Sequence, residues 1–340
     1  MTMTNPVDSR ATTAGLGAYW HPIAASEDVT DQPGRFPLLD DDLVAFRAED
    51  GVAVFRDICI HRGAALSLGW VRDGKITCPY HGWQYDRSGA CVRIPSRPAG
   101  SSIPTAARAQ AYRAVERYGL VWVAVGDPVA DVPPVPDEPF DTPGWRSFRS
   151  YRRVWTTSAA RAVENFMDFS HFPYVHPGLL GTEDNAEIAP YDVTTTDDGL
   201  FYVFEQEEPS ELYGQGGIQR VRYEYTIVLP FTIHLRKVET GSGNVTIITQ
   251  FTNPRASKST ELFVYIMRNH SCDDPDSRFG DFTNTIMEQD RVVVESQRPE
   301  ELPISLREEL HIKVPDKASL LFRQRLKTIA QVQVCGPYGA

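Results

Sequence analysis

Cys59-Ile60-His61-Arg62-Gly63 and, with sixteen residues between that histidine and the next cysteine, Cys78-Pro79-Tyr80-His81-Gly82-Trp83 are two short Cys/His pairs separated by about one hairpin. Each is compact enough to form one metal-binding loop. A two-plus-two set of soft thiolates and borderline imidazoles suits either zinc or an iron–sulfur centre with two cysteines on one iron and two histidines on the other. Zinc turns usually separate paired ligands by two or more residues, whereas Cys59-x-His61 leaves a single residue between them, so the spacing favours the cluster. Around the pairs, Leu43-Val44-Ala45-Phe46, Val52-Ala53-Val54-Phe55 and Leu120-Val121-Trp122-Val123 are short apolar runs between Gly, Asp and Pro turns. They predict a small all-β domain over 17–126 that carries Cys59, His61, Cys78 and His81 as ligands of a [2Fe-2S] centre. Arg62 and Trp83 have ordinary readings as a solvated and a core side chain, and no tuning role is assigned to them.

Composition bounds the rest. The chain has 340 residues, 45 acidic against 34 basic, and a net charge of −11, which excludes a broad basic surface for nucleic acid or anionic lipid. Its longest strongly apolar run, Gly119 to Val125, is far short of the roughly 20 residues a membrane span needs, and Met1 to Gly15 has no apolar signal core. A cytoplasmic protein is expected. Five cysteines without a signal peptide do not make a disulfide framework, and Cys91, Cys272 and Cys335 read as small buried hydrophobes.

Residues 1–16 are polar without period and read as a mobile tail. Six prolines between Asp127 and Gly144 exclude helix and central strand there, so 127–144 is read as a linker and 145–340 as a second, α+β domain. In it, Thr157 to Phe172 predicts a helix, and Val221, Tyr223, Tyr225 and Ile227 alternate with polar residues as a one-sided strand does. Asn244 to Phe251 and Glu261 to Met267 add antiparallel strands, and Phe279 to Gln297 has helical spacing.

A second constellation lies in that domain. Glu164 to Pro177 contains His171 and His176, five apart, which on an unbroken helix would diverge by about 140°. Pro173 is expected to push Phe172 out of the helical region and let His176 fold back, while Asp168 and His171 share one helical face. Two imidazoles lack one carboxylate for the facial triad of a mononuclear ferrous site. In the late helix Phe282, Ile286, Asp290, Val293 and Gln297 are expected on one face, so Asp290 interrupts an apolar stripe and is preferred over Glu288. The bland alternative pairs Asp290 with an arginine such as Arg161. His21, His234, His270 and His311 have no partner at ligand spacing and read as ordinary histidines, although His234 sits on a strand that could face substrate.

The first motif, Cys-x-His, sixteen residues, Cys-x-x-His, with Arg-Gly after one histidine and Gly-Trp after the other, resembles a Rieske domain. Ala64 and Tyr80 stand where respiratory Rieske proteins carry an additional disulfide, so the resemblance is to the lower-potential oxygenase type. The order Asn-x-x-Asp-x-x-His-x-x-x-x-His followed by Glu288-Gln289-Asp290 is similar, over nearly the whole chain, to the oxygenase (alpha) component of Rieske non-haem iron oxygenases. Ser296-Gln297, Pro299 and Leu302-Pro303 look like the saxitoxin-tailoring hydroxylases, and more distantly the dicamba and vanillate O-demethylases. The resemblance implies a helix-grip catalytic domain with His171, His176 and Asp290 on mononuclear Fe(II). It further implies a homotrimer packed head to tail, with Asp168 as an electron-transfer bridge from His81 of a neighbouring copy to His171.

A one-electron cluster beside an open iron implies activation of O2 with two externally supplied electrons. Gly214-Gln215-Gly216-Gly217 lacks the third glycine of a dinucleotide fingerprint, and no plant-ferredoxin cysteine run is present, so a separate NAD(P)H-dependent reductase, with or without a ferredoxin, is implied. The expected function is a monooxygenase that hydroxylates or oxidatively demethylates a small organic substrate. The alternatives are an electron carrier with a ligand-binding second domain, and a desaturase or oxidase on the same centres; two irons per chain rather than three would mark the carrier. Asn165, Phe231, His234 and Glu261 to Met267 are candidate substrate contacts, with Tyr213 to Ile218 as a covering loop, and core packing accounts for most of them equally well.

Overall fold

The computed structural model describes residues 15–98, 100–181, 183–209 and 218–331. Most of the expected tail and residues 213–217 of the expected covering loop lie outside them. The chain forms two compact units, one spanning Leu16–Val132 and the other the chain from Pro133 onward.

The first unit is antiparallel β throughout. β1 (His21–Ala25), β2 (Gly34–Leu38), β3 (Asp41–Ala48), β4 (Gly51–Arg56), β9 (Ala111–Arg117) and β10 (Leu120–Ala124) form a six-stranded sheet in the order β1-β10-β9-β4-β3-β2. A second sheet, β5 (Trp70–Arg72), β6 (Lys75–Thr77), β7 (Gln84–Tyr85) and β8 (Cys91–Arg93), runs in sequence order. Leu43-Val44-Ala45-Phe46 is apolar at every position because β3 is covered on both sides. Leu43 and Ala45 join Val52, Val54, Val121 and Val123 in one core, while Val44 and Phe46 join Ala53, Phe55, Cys59 and Cys78 in the other. The two cysteines are therefore packed as part of a core.

The second unit is α+β. Its seven-stranded antiparallel sheet has the order β11-β17-β16-β15-β14-β13-β12, made of β11 (Arg146–Trp155), β12 (Val193–Thr195), β13 (Gly199–Pro209), β14 (Ile218–Val228), β15 (Thr232–Glu239), β16 (Val245–Ala256) and β17 (Ser259–Arg268). On β14, Val221, Tyr223, Tyr225 and Ile227 are all buried, whereas the residues between them are partly or wholly exposed. Helices α1 (Ala159–Met167), α2 (Phe172–Val175), α3 (Asp276–Val294) and α4 (Lys317–Gln331) complete the unit. Ala162 of α1 and Met287 and Val294 of α3 pack with Tyr151, Trp155, Leu262 and Val264 of the sheet.

Two local expectations are corrected. The single helix over Thr157 to Phe172 is two helices: α1 starts on the Ser158 cap, whose Oγ accepts from the Arg161 amide, and ends at Asp168, which is extended with ψ 142°. Asp168 Oδ1 accepts from the Ser170 amide and hydroxyl, a local turn that competes with continued helix. Pro173 therefore does not push Phe172 out of a helix. It sits in the first turn of α2, where its missing amide donor goes unused. The second correction concerns α3. Its buried face is Phe279, Thr283, Met287, Asp290 and Val294, while Val293 is 44% exposed and Gln297 lies beyond the helix end. The expected apolar stripe is displaced from the buried face because Phe282 and Ile286 are only half-buried.

Candidate metal centres

In the first unit the two Cys/His segments fold into matching loops despite their unequal spacing. The Cys59 amide donates to the Ala64 carbonyl and the Gly63 amide to the Cys59 carbonyl; likewise Cys78 donates to Trp83 and Gly82 to Cys78. Both loops turn on a glycine in the left-handed region, Gly63 at φ 72° and Gly82 at φ 70°. The first loop follows β4, the second joins β6 to β7. Buried Asp57 fixes the exit of the first by accepting from the Ser67 amide and hydroxyl at 2.7 and 2.6 Å.

These loops sort the four side chains by type. Cys59 and Cys78 are each 1% exposed, whereas His61 is half-buried and His81 exposed, with their Nδ1 atoms 3.1 Å apart. The Trp83 ring stacks on His61 at 4.6 Å and 7°, and the Tyr85 hydroxyl lies 3.1 Å from Cys59 Sγ. Burial pushes the Cys78 thiol up, against the pull of the Tyr80 and His81 amides. Among the described residues the four do not converge within 4.8 Å as ligands of one ion would. A buried sulfur pair and an exposed imidazole pair suit a binuclear centre with one iron on each pair. Trp83, given no role above, is a ring-to-ring neighbour of one imidazole. No sequence pattern beyond adjacency signalled it.

In the second unit the ends of α1 and α2 and the middle of α3 bring together His171, His176 and Asp290. They are the one set of three potential ligands within 4.8 Å among the described residues. Asp290 Oδ1 lies 3.3 Å from His171 Nε2 and 3.1 Å from His176 Nε2. Both Nε2 atoms are buried without a hydrogen-bond partner, a donor arrangement that a divalent cation would satisfy. Each imidazole is oriented from behind: His171 Nδ1 donates to Asp168 Oδ2 at 3.0 Å and His176 Nδ1 to Gln289 Oε1 at 2.8 Å. Burial lowers the His171 pKa, but the carboxylates of Asp168 and Asp290 outweigh it and lift the value to about 9. Burial likewise raises Asp290, and the two imidazoles outweigh that to hold it below the usual carboxylate range. The donor set, two nitrogens and one carboxylate, fits a divalent iron with positions left open.

The arginine alternative for Asp290 fails, since Arg161 pairs with Glu309. Asn165, a candidate substrate contact, instead has its Nδ2 donating to Asp290 Oδ1 at 3.2 Å. Beside the triad opens a cleft lined by Phe166, Phe172, Tyr223, Tyr225, Phe282 and Ile286 among others. Phe231 and His234 do not line it. Strand alternation decides this, because Leu235 and Lys237 of β15 face the cleft while His234, on the opposite face, bonds Thr249 Oγ1. Burial pushes His234 down to about 3, so it remains neutral.

Comparison with known proteins finds a family match in each unit. Residues 19–113 match the Rieske [2Fe-2S] domain, and residues 155–331 match the vanillate O-demethylase oxygenase C-terminal domain. The chain is 33% identical over 326 residues to methylxanthine N1-demethylase NdmA of Pseudomonas putida, covering 93% of this chain and 90% of that protein. The structure of NdmA with caffeine superposes with a TM-score of 0.85 at 30% identity, covering 96% and 94% of the two chains. The oxygenase component of dicamba O-demethylase from Stenotrophomonas maltophilia is 36% identical over 167 residues, 48% of this chain and 47% of that protein. With a Rieske domain ahead of a triad-bearing catalytic domain, the chain belongs to the Rieske non-haem iron oxygenases, as an oxygenase alpha component.

Proposed function

We propose that Cys59, His61, Cys78 and His81 hold the [2Fe-2S] cluster, that His171, His176 and Asp290 hold a mononuclear Fe(II), and that the enzyme oxidatively demethylates a small methoxy- or N-methyl-arene. The observation that carries this reading is the pair of partnerless Nε2 atoms beside Asp290 at the mouth of an aromatic-walled cleft. The overall change is R–O–CH3 + O2 + 2 e⁻ + 2 H⁺ → R–OH + HCHO + H2O, in which the methyl carbon is hydroxylated and the resulting hemiacetal breaks its C–O bond to release formaldehyde. When bound, the two iron centres supply single-electron storage and O2 activation.

This chain's own residues do the rest. Asp168, itself held by Ser170, and Gln289 keep a proton on each Nδ1, so each Nε2 presents its lone pair. Asn165 steadies the carboxylate of Asp290. Phe166, Phe172, Leu180 and Phe282 keep the reaction volume apolar and orient a planar substrate. Asp168 bridges to His81 of a neighbouring copy in a homotrimer, a reading supported by a carboxylate that is 27% exposed while its inner oxygen is fixed on His171. NAD(P)H electrons arrive through a separate reductase, with or without a ferredoxin, in the cytoplasm; no helix among the described residues is long and apolar enough to cross a membrane.

Reconstitution with a reductase, 18O2 and a panel of methoxy- and N-methyl-arenes tests the reading. Formaldehyde and demethylated arene in equal amounts are expected, with three irons per chain. Two irons and no oxygen uptake would instead make the chain an electron carrier, and an alkene product a desaturase.

A further inference from the structure

Two rows of aromatic rings lead away from the cleft beside the triad. Tyr223 and Tyr225 line the cleft, and Phe172, 5.0 Å from His171, places its ring 6.5 Å from Tyr223. One row runs Tyr223, Phe204, Phe169, with centroids 4.8 and then 4.0 Å apart. The other runs Tyr225, Tyr202, Tyr191, with centroids 4.9 and then 5.5 Å apart. The pairing of β13 with β14 sets both rows, since Tyr202 lies opposite Tyr225 and Phe204 opposite Tyr223. The second row runs from core to surface: Tyr225 and Tyr202 are each 1% exposed, whereas Tyr191 is half-buried, next to exposed Asp192. Its outer hydroxyls are held in place. Tyr202 donates to the Met167 carbonyl, and Tyr191 donates to the Pro315 carbonyl at 3.1 Å and accepts from the Ala318 amide at 3.3 Å. The negative charge of Asp168 acts on both phenols.

The two rows differ in what an oxidising centre can draw from them. A phenol gives up an electron far more readily than a benzene ring, and a nearby carboxylate stabilises the electron-poor ring that results. The first row therefore stops at Phe204, while the second is oxidisable at every ring from cleft to surface. Packing alone would be served as well by phenylalanine at 202, without a hydroxyl that has to be satisfied in the core. We infer that Tyr225, Tyr202 and Tyr191 form a hole-transfer chain that drains oxidising equivalents from the triad when no substrate consumes them. Tyr225 passes one electron inward, Tyr202 refills Tyr225, Tyr191 refills Tyr202, and a thiol at the surface refills Tyr191. Each phenol regains its proton as it is refilled. The net change is one electron delivered to the triad and one thiol oxidised to half a disulfide, with release of the thiol proton. This protective activity rests on the iron-loaded triad proposed above and adds to it.

The test exposes the iron-loaded full chain, without substrate or reductase, to hydrogen peroxide in the presence of the spin trap tert-nitrosobutane. Each peroxide reduced to two waters draws two electrons through the chain. Peptide mass spectrometry then locates trap adducts and added oxygen atoms. In the wild type the adduct should form at Tyr191, and ring-deuterated tyrosine should narrow the paramagnetic resonance signal of the radical. Tyr202→Phe removes the middle phenol and should cut the Tyr191 adduct by about tenfold or more, with a matching rise in oxygen added to Phe172, Tyr223 and Tyr225. Tyr191→Phe is the second variant, in case loss of the buried hydroxyl disturbs folding, and it should show the same rise. Added glutathione should suppress oxidation of the cleft in the wild type and in neither variant. A Tyr191 adduct that persists in Tyr202→Phe, or cleft oxidation that neither substitution changes, overturns the inference and leaves the iron site standing. An adduct that forms equally in His176→Ala, which lacks a triad ligand, overturns the inference and counts against the triad as the iron site.

Discussion

At the scale of single residues, the second site is defined by what stands behind its histidines. Gln289 accepts from His176 Nδ1, and a hydrocarbon cannot replace that acceptor. Gln289→Leu should weaken iron binding about 10- to 100-fold, the usual effect of losing an outer hydrogen bond to a ligating imidazole. The visible spectrum of the first unit should stay unchanged. Iron retained at wild-type affinity in that variant would show that the amide is merely packing. Asp168 differs, because it orients His171 and also keeps a partly exposed edge. Asp168→Asn should keep both iron centres and lose turnover by at least about tenfold, measured as single-turnover reoxidation of the reduced cluster in the presence of substrate. Normal product formation by this variant would remove its proposed bridging role. The ligand candidates were legible in the sequence because cysteine, histidine and a carboxylate on a helix are chemically conspicuous. Asn165 and Gln289 were not placed on their partners, because an amide three residues before an aspartate, or one residue before another, carries no signal until the backbone brings the donors together.

Among the elements, α1 carries the decisive geometry, and α4 holds α1 in place. Arg323 of α4 makes a two-pronged contact with Glu164 of α1, both at 2.6 Å, and reaches Glu309 at 2.7 Å, while Arg161 of α1 takes the other oxygen of Glu309 at 2.6 Å. Both arginines are 3% exposed. Burial already holds Glu164 above the usual carboxylate range, despite the pull of Arg323. Arg323→Met would leave Glu164 buried without its cation and should destabilise the unit by about 3–5 kcal/mol. The sign of the pH effect follows from the raised carboxylate. Its destabilisation is greatest where the unfolded chain holds the glutamate ionised, and it shrinks as the pH falls and the folded carboxyl takes up a proton. Urea unfolding of the variant should therefore show its deficit at pH 8 and recover in part at pH 5, and adding Glu164→Gln should restore part of it at pH 8. A deficit independent of pH would point to lost packing instead. The sequence showed α3 and the alternating β14 because their periodicity is long. It misplaced the end of α1, since the Asp168 turn is a contest between side-chain and backbone hydrogen bonding that proline-based reasoning located five residues too late.

For the whole molecule, acid stability draws on buried histidines outside the two ligand sets, among them one in each unit. His21 is 1% exposed and donates to the Leu16 carbonyl at 2.9 Å, yet burial, the larger effect, pushes it down to about 4. His234, also 1% exposed, is held at about 3 by burial against the pull of the Pro134 carbonyl. Both folded values lie below the unfolded value of about 6.5, so between that pH and about 4 the unfolded chain binds more protons and stability falls with falling pH. Each group contributes a slope approaching ~1.4 kcal/mol per pH unit in that window, to a limit of about 3 kcal/mol for His21. Carboxylates held low by arginines, such as Glu116, Asp276 and Glu309, act in the same direction only nearer the acid end, below the unfolded carboxylate value of about 4.5. In the interval from 6.5 to 4.5 the two histidines act together with His270, also pushed down by burial, and are opposed by the raised carboxyl of Glu164. His234→Gln keeps a side chain able to bond Thr249 but cannot take a proton, so the variant's urea-unfolding stability should fall less steeply from pH 6.5 to 4.5, by up to one proton's slope. The wild-type difference should appear in the unfolding of the second unit, while cluster absorbance, reporting the first, keeps its His21-dependent decline. Identical pH slopes in wild type and variant would show that His234 protonates in the folded protein as easily as in the unfolded chain, contrary to its burial.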